Sequence, residues 1–459
     1  MGDDSAGLML ERFLKPFADV REGEGTTAIL LMLNLFVLLT SYLIIKTVRE
    51  ALILAGGGAE VKSYAAAGQA LLLLLVVAWY GSFASKVNRI KLINGVTLFF
   101  ISHLIAFYVL GQLQVALGVA FFLWVGIFNL LLIAQFWAFA NDLYTREQGE
   151  RLFAIVAFGG SLGAILGPVL AGWLFAPIGA YRLMLVAAAL LAICILITNV
   201  VNSRENQRRQ TQPAKPAIDA PLGRAGGFAL IVAQPYLLLI AILMVLLNLV
   251  NTTGEFVLGK KVAEEARLTV STEEQERAAI RNANGETSEE TEKATQAFIG
   301  EFYANFFFWV NLVGAAIQLL LVSRIIKYIG VAGSLFFLPV ISLFSYSLMV
   351  LFPILGYIQL AKIVENSTDY SLQNTTRQAL FLPTSREMKY KAKAAIDTFF
   401  VRIGDVLSAA VVFVGTYWLF NTETFATINI ALVAIWLPLV AVIGRRYKKL
   451  ALAEYKTAA

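Results

Sequence analysis

The amino-acid sequence predicts an all-α membrane protein with twelve transmembrane helices in two pseudo-symmetric halves, a 6+6 arrangement. Three observations lead there. The 459 residues are 58% hydrophobic and 15% charged, against about 25% charged in ordinary soluble domains. Uncharged apolar runs near the roughly 20 residues that cross a bilayer recur along nearly the whole chain. Segments of the first half also recur, in order, in the second. A membrane β-barrel would show short alternating segments instead.

The apolar runs place spans near 27–54, 64–84, 93–112, 115–141, 152–175, 180–202, 227–258, 301–323, 332–352, 355–382, 393–419 and 424–444. The chain then divides into an N-terminal segment (1–26), an N-terminal half (27–202), a polar linker (203–226), a C-terminal half (227–444) and a tail (445–459). Basic residues follow every even-numbered span. Lys86 and Arg89 follow span two, Arg146 and Arg151 span four, and Arg204, Arg208 and Arg209 span six. Arg324 and Lys327 follow span eight, Arg386 and Lys389 span ten, and Arg445, Arg446, Lys448 and Lys449 span twelve. The positive-inside rule makes these loops and both termini cytoplasmic, as in a bacterial inner membrane protein. That topology accounts for the net charge of +6 without a nucleic-acid partner.

The mixed-charge start lacks the apolar core of a cleaved signal peptide. Leu10, Phe13, Leu14 and Phe17 are spaced to form one face of a short surface helix. The outer loop at 259–300, rich in Glu and Lys, reads as a solvated insertion with helical stretches. The single cysteine, Cys194, allows no disulfide within the chain, and the single histidine, His103, reads as a packed or lumen-facing side chain.

The repeat is visible in short matches. Ser85-Lys86-Val87-Asn88-Arg89 after span two corresponds to Ser323-Arg324-Ile325-Ile326-Lys327 after span eight, offset 238. Thr145-Arg146-Glu147 corresponds to Ser385-Arg386-Glu387, offset 240. Thr47 and Glu50 in span one match Thr252 and Glu255 in span seven, offset 205, and the long outer loop after span seven explains the shortfall. Consistent order and topology argue a duplicated transporter of the major-facilitator kind, with substrate bound between halves that rock to expose it on alternate sides. The short basic loops bearing Lys86, Arg89, Arg146, Arg324, Lys327 and Arg386 are gate candidates.

Ionisable residues inside spans are functional hypotheses by default, because an unpaired charge in a bilayer is expensive. Lys46, Arg49 and Glu50 share one face of span one, and Asn248, Thr252 and Glu255 share one of span seven. In span ten Lys362, Glu365, Asn366 and Asp369 form an almost continuous polar stripe. Span eleven carries Asp397 and Asp405 two turns apart, with Arg402 between them. Structural ion pairs are the bland alternative for any one residue. For all the clusters together, mixed charge on spans one, seven and ten suits a charged substrate, with Lys and Arg matching phosphate or carboxylate oxygens. The stripe Gly159, Gly163 and Gly167 reads as a close helix contact.

Other chemistry finds no support. "GGGAEVKS" (Gly56–Ser63) mimics a P-loop but has Val61 where glycine is required and follows no strand. No residue set has zinc-site spacing and no nucleophile has a histidine base beside it, so neither an enzyme, a metal nor a cofactor is expected.

Several segments resemble the nucleotide transporters (ATP/ADP translocases) of plastids and obligate intracellular bacteria. "QFWAFANDLYTREQGERLFAIVAFGGSLGAI" is similar to the family's FW-x-FAN segment with its basic pair and glycine-rich helix five. "QALFLPTSREMKYKAKAAIDTFFVRIGD" is similar to LF-x-x-TKEM…KGKAAIDV-x-x-RLG, and "FIGEF" to FMGDF before helix eight. "KTVREAL" stands in the place of a charged RDTKDTL element. The resemblance implies that Lys393 replaces a family lysine needed for transport, that Lys46, Arg49 and Glu50 keep the charge of their counterparts, and that Asn141 and Arg151 match. It departs at Ala66, where the family has a lysine, and near Asn251, where it has a glutamate.

The expectation is a monomeric secondary transporter of a nucleotide or similar anion. The candidate substrate-binding residues are Lys46, Arg49, Glu50, Asn141, Asn251, Glu255, Lys362, Glu365, Asp369, Lys393, Asp397 and Arg402. A major-facilitator transporter of a carboxylate, peptide or drug, or a non-transporting membrane platform, are the alternatives.

Overall fold

The computed structural model describes residues 20–21, 23–84, 88–144, 146–209, 227–281, 288–385 and 388–458. Among these the chain is helical throughout, with short turns and no strand. Lys86 and Arg386, the expected surface helix around 10–17 and most of the linker lie outside the described residues, as does the side chain of Arg146.

Eight helices among the described residues are long and apolar enough to cross a membrane. Gly25–Ala84 runs for 60 residues and Arg146–Arg209 for 64. Unbroken, each would be about 90 Å long, three times the hydrocarbon core of about 30 Å. Each is interrupted by one glycine at positive φ, Gly58 (74°) and Gly179 (76°), and Gly330 (78°) does the same within Ser323–Ser334. With ψ within about 15° of 180°, that conformation is essentially closed to residues with a Cβ, whereas glycine adopts it readily. The breaks fall at the expected joins of spans one and two, five and six, and eight and nine. "GGGAEVKS" is therefore a helix-to-helix turn rather than an open loop.

The chain forms two compact units. One comprises Met1–Leu52, Leu75–Ile218 and Glu292–Phe308, the other Ile53–Leu74, Asp219–Thr291 and Trp309–Ala459. In the first, Arg89–Gln112 packs on Arg146–Arg209, and Trp124 stacks on Phe121 and Phe128 and meets Phe100 edge-on. The glycine stripe lies against span one: a Cβ at Gly159 would collide with the Met32 carbonyl oxygen, and one at Gly163 with that of Phe36. In the second unit Pro235–Arg281 packs on Val401–Tyr417 and Thr422–Ala458. There Gly404 approaches span seven the same way, its Cβ position 2.8 Å from the Val245 carbonyl oxygen. Gly404 follows Gly163 by 241 residues, close to the repeat offsets read from the loops.

The segment at 259–300, expected as a solvated insertion with helical stretches, is largely helical among the described residues. Pro235–Arg281 is one continuous helix and Ser288–Ile317 another. Val262, Ala266 and Val270, spaced i, i+4, i+8, are buried, as is Ile299. That apolar stripe keeps the helix going and seats it on its unit.

Among the described residues of the second unit, four segments are π-helical: Gln318–Val322, Asp369–Gln373, Met388–Ala392 and Ile396–Phe400. Each widens the helix and turns the side chains that follow; such segments are frequent at functional sites.

Candidate functional site

Span one places its charges in the first unit. Lys46 Nζ lies 4.1 Å from the centre of the Phe307 ring, and the Arg49 guanidinium 4.8 Å over Phe122. Arg49 also donates to Glu50, with Nε 3.1 Å from Oε1, and Glu50 is buried. Aromatic faces hold a cation without removing its charge. The cluster therefore holds two ordered bases and one acid, with Arg49 and Glu50 paired and Lys46 on an aromatic face.

The second unit holds a buried polar network. Lys362 is 0% exposed and its Nζ donates to Asn251 Oδ1 (2.9 Å) and Glu365 Oε2 (2.8 Å), with Glu255 Oε1 at 3.8 Å. Glu365 also accepts from Ser342 Oγ (2.9 Å) and lies 3.0 Å from the Tyr346 hydroxyl. Asn366 Nδ2 donates to Glu255 Oε1 at 2.8 Å, and Asn429 Nδ2 to the Val250 carbonyl at 3.1 Å. A Cβ on Gly254 would collide with the Tyr346 hydroxyl, so the glycine leaves room for these groups. The structure thus joins Asn251, Glu255, Lys362 and Glu365 of the expected site. Asp369 follows them, buried at the first residue of a π-helical turn.

Span eleven divides its charges in two. Lys393 pairs with Asp397 at 3.5 Å, one turn on, with the side chains 28% and 43% exposed. Arg402 donates to Asp405 Oδ2 at 3.1 Å, while Asn248 and Thr252 donate to Asp405 Oδ1 at 2.7 and 3.1 Å. The expected Asn248–Thr252–Glu255 face is therefore shared between two neighbours. Its first two members hold Asp405 and the third turns to span ten.

The loop residues have local partners. Arg89 pairs with Asp142 at 3.1 Å, Arg324 donates to the Leu320 carbonyl, and Lys327 lies 5.6 Å from the centre of the Tyr328 ring. Asn141 is exposed. His103 bonds the Phe99 carbonyl at 2.8 Å and packs on its ring, as expected.

Sequence reasoning missed Ser342, Tyr346, Gly254 and Asn429. Ser342, Ser345 and Tyr346 in "FLPVISLFSYSLMVL" recur at i, i+3, i+4, a polar edge on an apolar helix that marks the contact with span ten. It also missed Glu24. Arg151 donates to both Glu24 oxygens at 3.0 Å, and Gln148 Nε2 and the Arg21 backbone N–H join at 2.9 and 3.1 Å. Burial alone would raise the Glu24 pKa, but these donors and the Arg151 charge outweigh it and hold the carboxyl below its ordinary range.

Among the described residues no three His, Cys, Asp or Glu side chains gather as metal ligands. Residues 119–447, most of the chain, match the model of the family described as TLC ATP/ADP transporter. The chain belongs to that family. Its relatives include ADP,ATP carrier protein 1 of Chlamydia pneumoniae, 22% identical over 67% of this chain and 63% of the relative. ADP,ATP carrier protein 1 of Chlamydia trachomatis serovar D is 24% identical over 60% of this chain and 54% of the relative. The chain thus spans less than two thirds of the length of either. In three dimensions this TLC-family chain is similar to a bacterial homologue of the iron transporter ferroportin in an inward-facing state. The identity is 14%, the coverage 93% of this chain and 98% of that one, and the TM-score 0.62. The shared fold is that of major-facilitator-type transporters.

Proposed function

We propose that the chain is a secondary transporter that carries a nucleotide, or a similar phosphorylated organic anion, across a bacterial inner membrane by alternating access. Exchange of ATP for ADP is its first form to test. The observation that carries this reading is the TLC ATP/ADP transporter match over 119–447. Twelve spans and cytoplasmic termini complete it, supported by the glycine turns that divide the longest helices and by basic residues at every second exit.

In this reading Lys46, Arg49, Lys393 and Arg402 meet anionic oxygens, and Asn141 and Asn251 add polar contacts. Lys393 is well suited to that role. Its partly exposed bond to Asp397 is weak, so phosphate oxygens can displace the carboxylate. Glu50 holds Arg49 in place between cycles. Asn251, Glu255, Lys362 and Glu365 fix spans seven and ten to each other within one half, so that the half moves as a body. Lys86, Arg89, Arg146, Arg324, Lys327 and Arg386 act at the cytoplasmic gate.

Counterflow in proteoliposomes tests the proposal. Labelled ADP should enter faster when ATP is inside, and purified protein should be stabilised against heat by nucleotides. Failure of every phosphorylated solute to do either would overturn it and leave a carboxylate, peptide or drug as cargo.

A further inference from the structure

Span ten carries oxygen atoms that the buried network does not use. Asn366, Asp369 and Gln373 are 2%, 9% and 1% exposed, and sit at i, i+3 and i+7. Asn366 Oδ1, Asp369 Oδ1 and both amide atoms of Gln373 make no hydrogen bond among the described residues. A buried polar atom left so disfavours the fold, and here three acceptors of one helix face share the condition. Asp369–Gln373 is also a π-helical turn, which loosens the regular hydrogen-bond ladder where Asp369 and Gln373 project.

The neighbouring cations are engaged elsewhere. Lys362 is held by Glu365 and Asn251. Arg377, one of the charges around Asp369, donates to Asn374 Oδ1 at 3.2 Å and to Met244 Sδ at 3.6 Å. Glu365 adds a further negative charge nearby. A proton on Asp369 would satisfy one of the three acceptors at most. A small hard cation, which takes several oxygen ligands at once, would satisfy all three.

We propose that Asn366, Asp369 and Gln373 form a sodium site at the π-helical turn of span ten, and that the ion's binding is coupled to transport. The coupling part rests on the transporter reading; the binding part does not. Coupling-ion sites in secondary transporters use interrupted helices in this way.

The test uses the purified full-length protein and sodium chloride against choline chloride at equal ionic strength. Sodium should raise the thermal midpoint saturably, and choline should not. Asp369→Asn should abolish the sodium effect, and Gln373→Leu should raise the half-saturating sodium concentration about tenfold or more. Equal midpoints in the two salts for the wild-type protein would overturn the site and leave ordered water as the partner of these atoms. A midpoint that follows pH and ignores sodium would overturn it in favour of a protonated Asp369. In proteoliposomes, an inward sodium gradient should speed ADP entry in the wild type and leave it unchanged in Asp369→Asn. Entry that ignores sodium would overturn the coupling. A saturable sodium shift with no nucleotide movement would uphold the site while sinking the nucleotide reading.

Discussion

Lys362 and Glu365, one turn apart on span ten, are bonded at 2.8 Å with side chains 0% and 4% exposed. Neither charge can be removed alone without stranding the other away from water. Lys362→Met or Glu365→Gln should each destabilise the protein by about 3–5 kcal/mol, while the double change to apolar residues should approach neutrality. Denaturant titration of the three variants in detergent measures this. Additive losses would show that the pair is not the unit of stability.

Gly254 faces the same network from span seven. An alanine there would drive its Cβ into the Tyr346 hydroxyl and place it 3.1 Å from Lys362 Nζ. Gly254→Ala should therefore destabilise by about 1–3 kcal/mol through overpacking. Gly68→Ala, at a helical position with nothing within 4 Å, should instead stabilise by about 0.4–1 kcal/mol. Paired thermal melts distinguish a crowded site from a general intolerance of glycine replacement.

Glu24 gives a pH dependence of defined sign. Its folded pKa lies below the ordinary 4.5, so its contribution is present above 4.5 and is lost as pH falls through the folded value. Glu24→Gln should be less stable than the wild type at pH 7, and the gap should close as the pH is lowered beneath 4.5. A gap independent of pH would place the effect in packing and not in the Arg151–Glu24 charge pair.

Lys393→Ala should leave the melting curve nearly unchanged, because a pair this open contributes less than about 1 kcal/mol. Its effect should fall on transport. Losing one charge-assisted bond to phosphate weakens binding by about 1.5–3 kcal/mol, or about ten- to a hundredfold. Asp397→Asn should act oppositely and lower the half-saturating nucleotide concentration. Counterflow over a range of nucleotide concentrations checks both.

Some of this was legible in residues and some was not. Apolar runs announced the helices, and the glycines of span five announced a close helix contact, because small residues at i, i+4 allow backbones to approach in a bilayer; that the partners are Met32 and Phe36 came from the structure. The span-ten stripe was also plain, since Lys362, Glu365, Asn366 and Asp369 interrupt an oily helix. Their partners were not, because pairing Lys362 with Asn251 requires knowing which helices touch 111 residues apart. The π-helical turns leave no trace in composition, because the same side chains fit either ladder and packing decides. The helical stretches of 259–300 were legible, but the Val262–Ala266–Val270 stripe was not, because Glu and Lys dominate the composition around it.

The first helix of that segment has a practical consequence. Pro235–Arg281 is 47 residues of continuous helix, about 70 Å at 1.5 Å per residue, and more than twice what a bilayer core of about 30 Å can hide. Image alignment of small membrane proteins fails when nothing stands clear of the detergent belt. Here the helix continues past that length without a break while seated on its unit along Val262, Ala266 and Val270, and a binding fragment or fused domain placed on its exposed side, at Glu264 and Glu265, would serve as a fiducial mark for single-particle imaging.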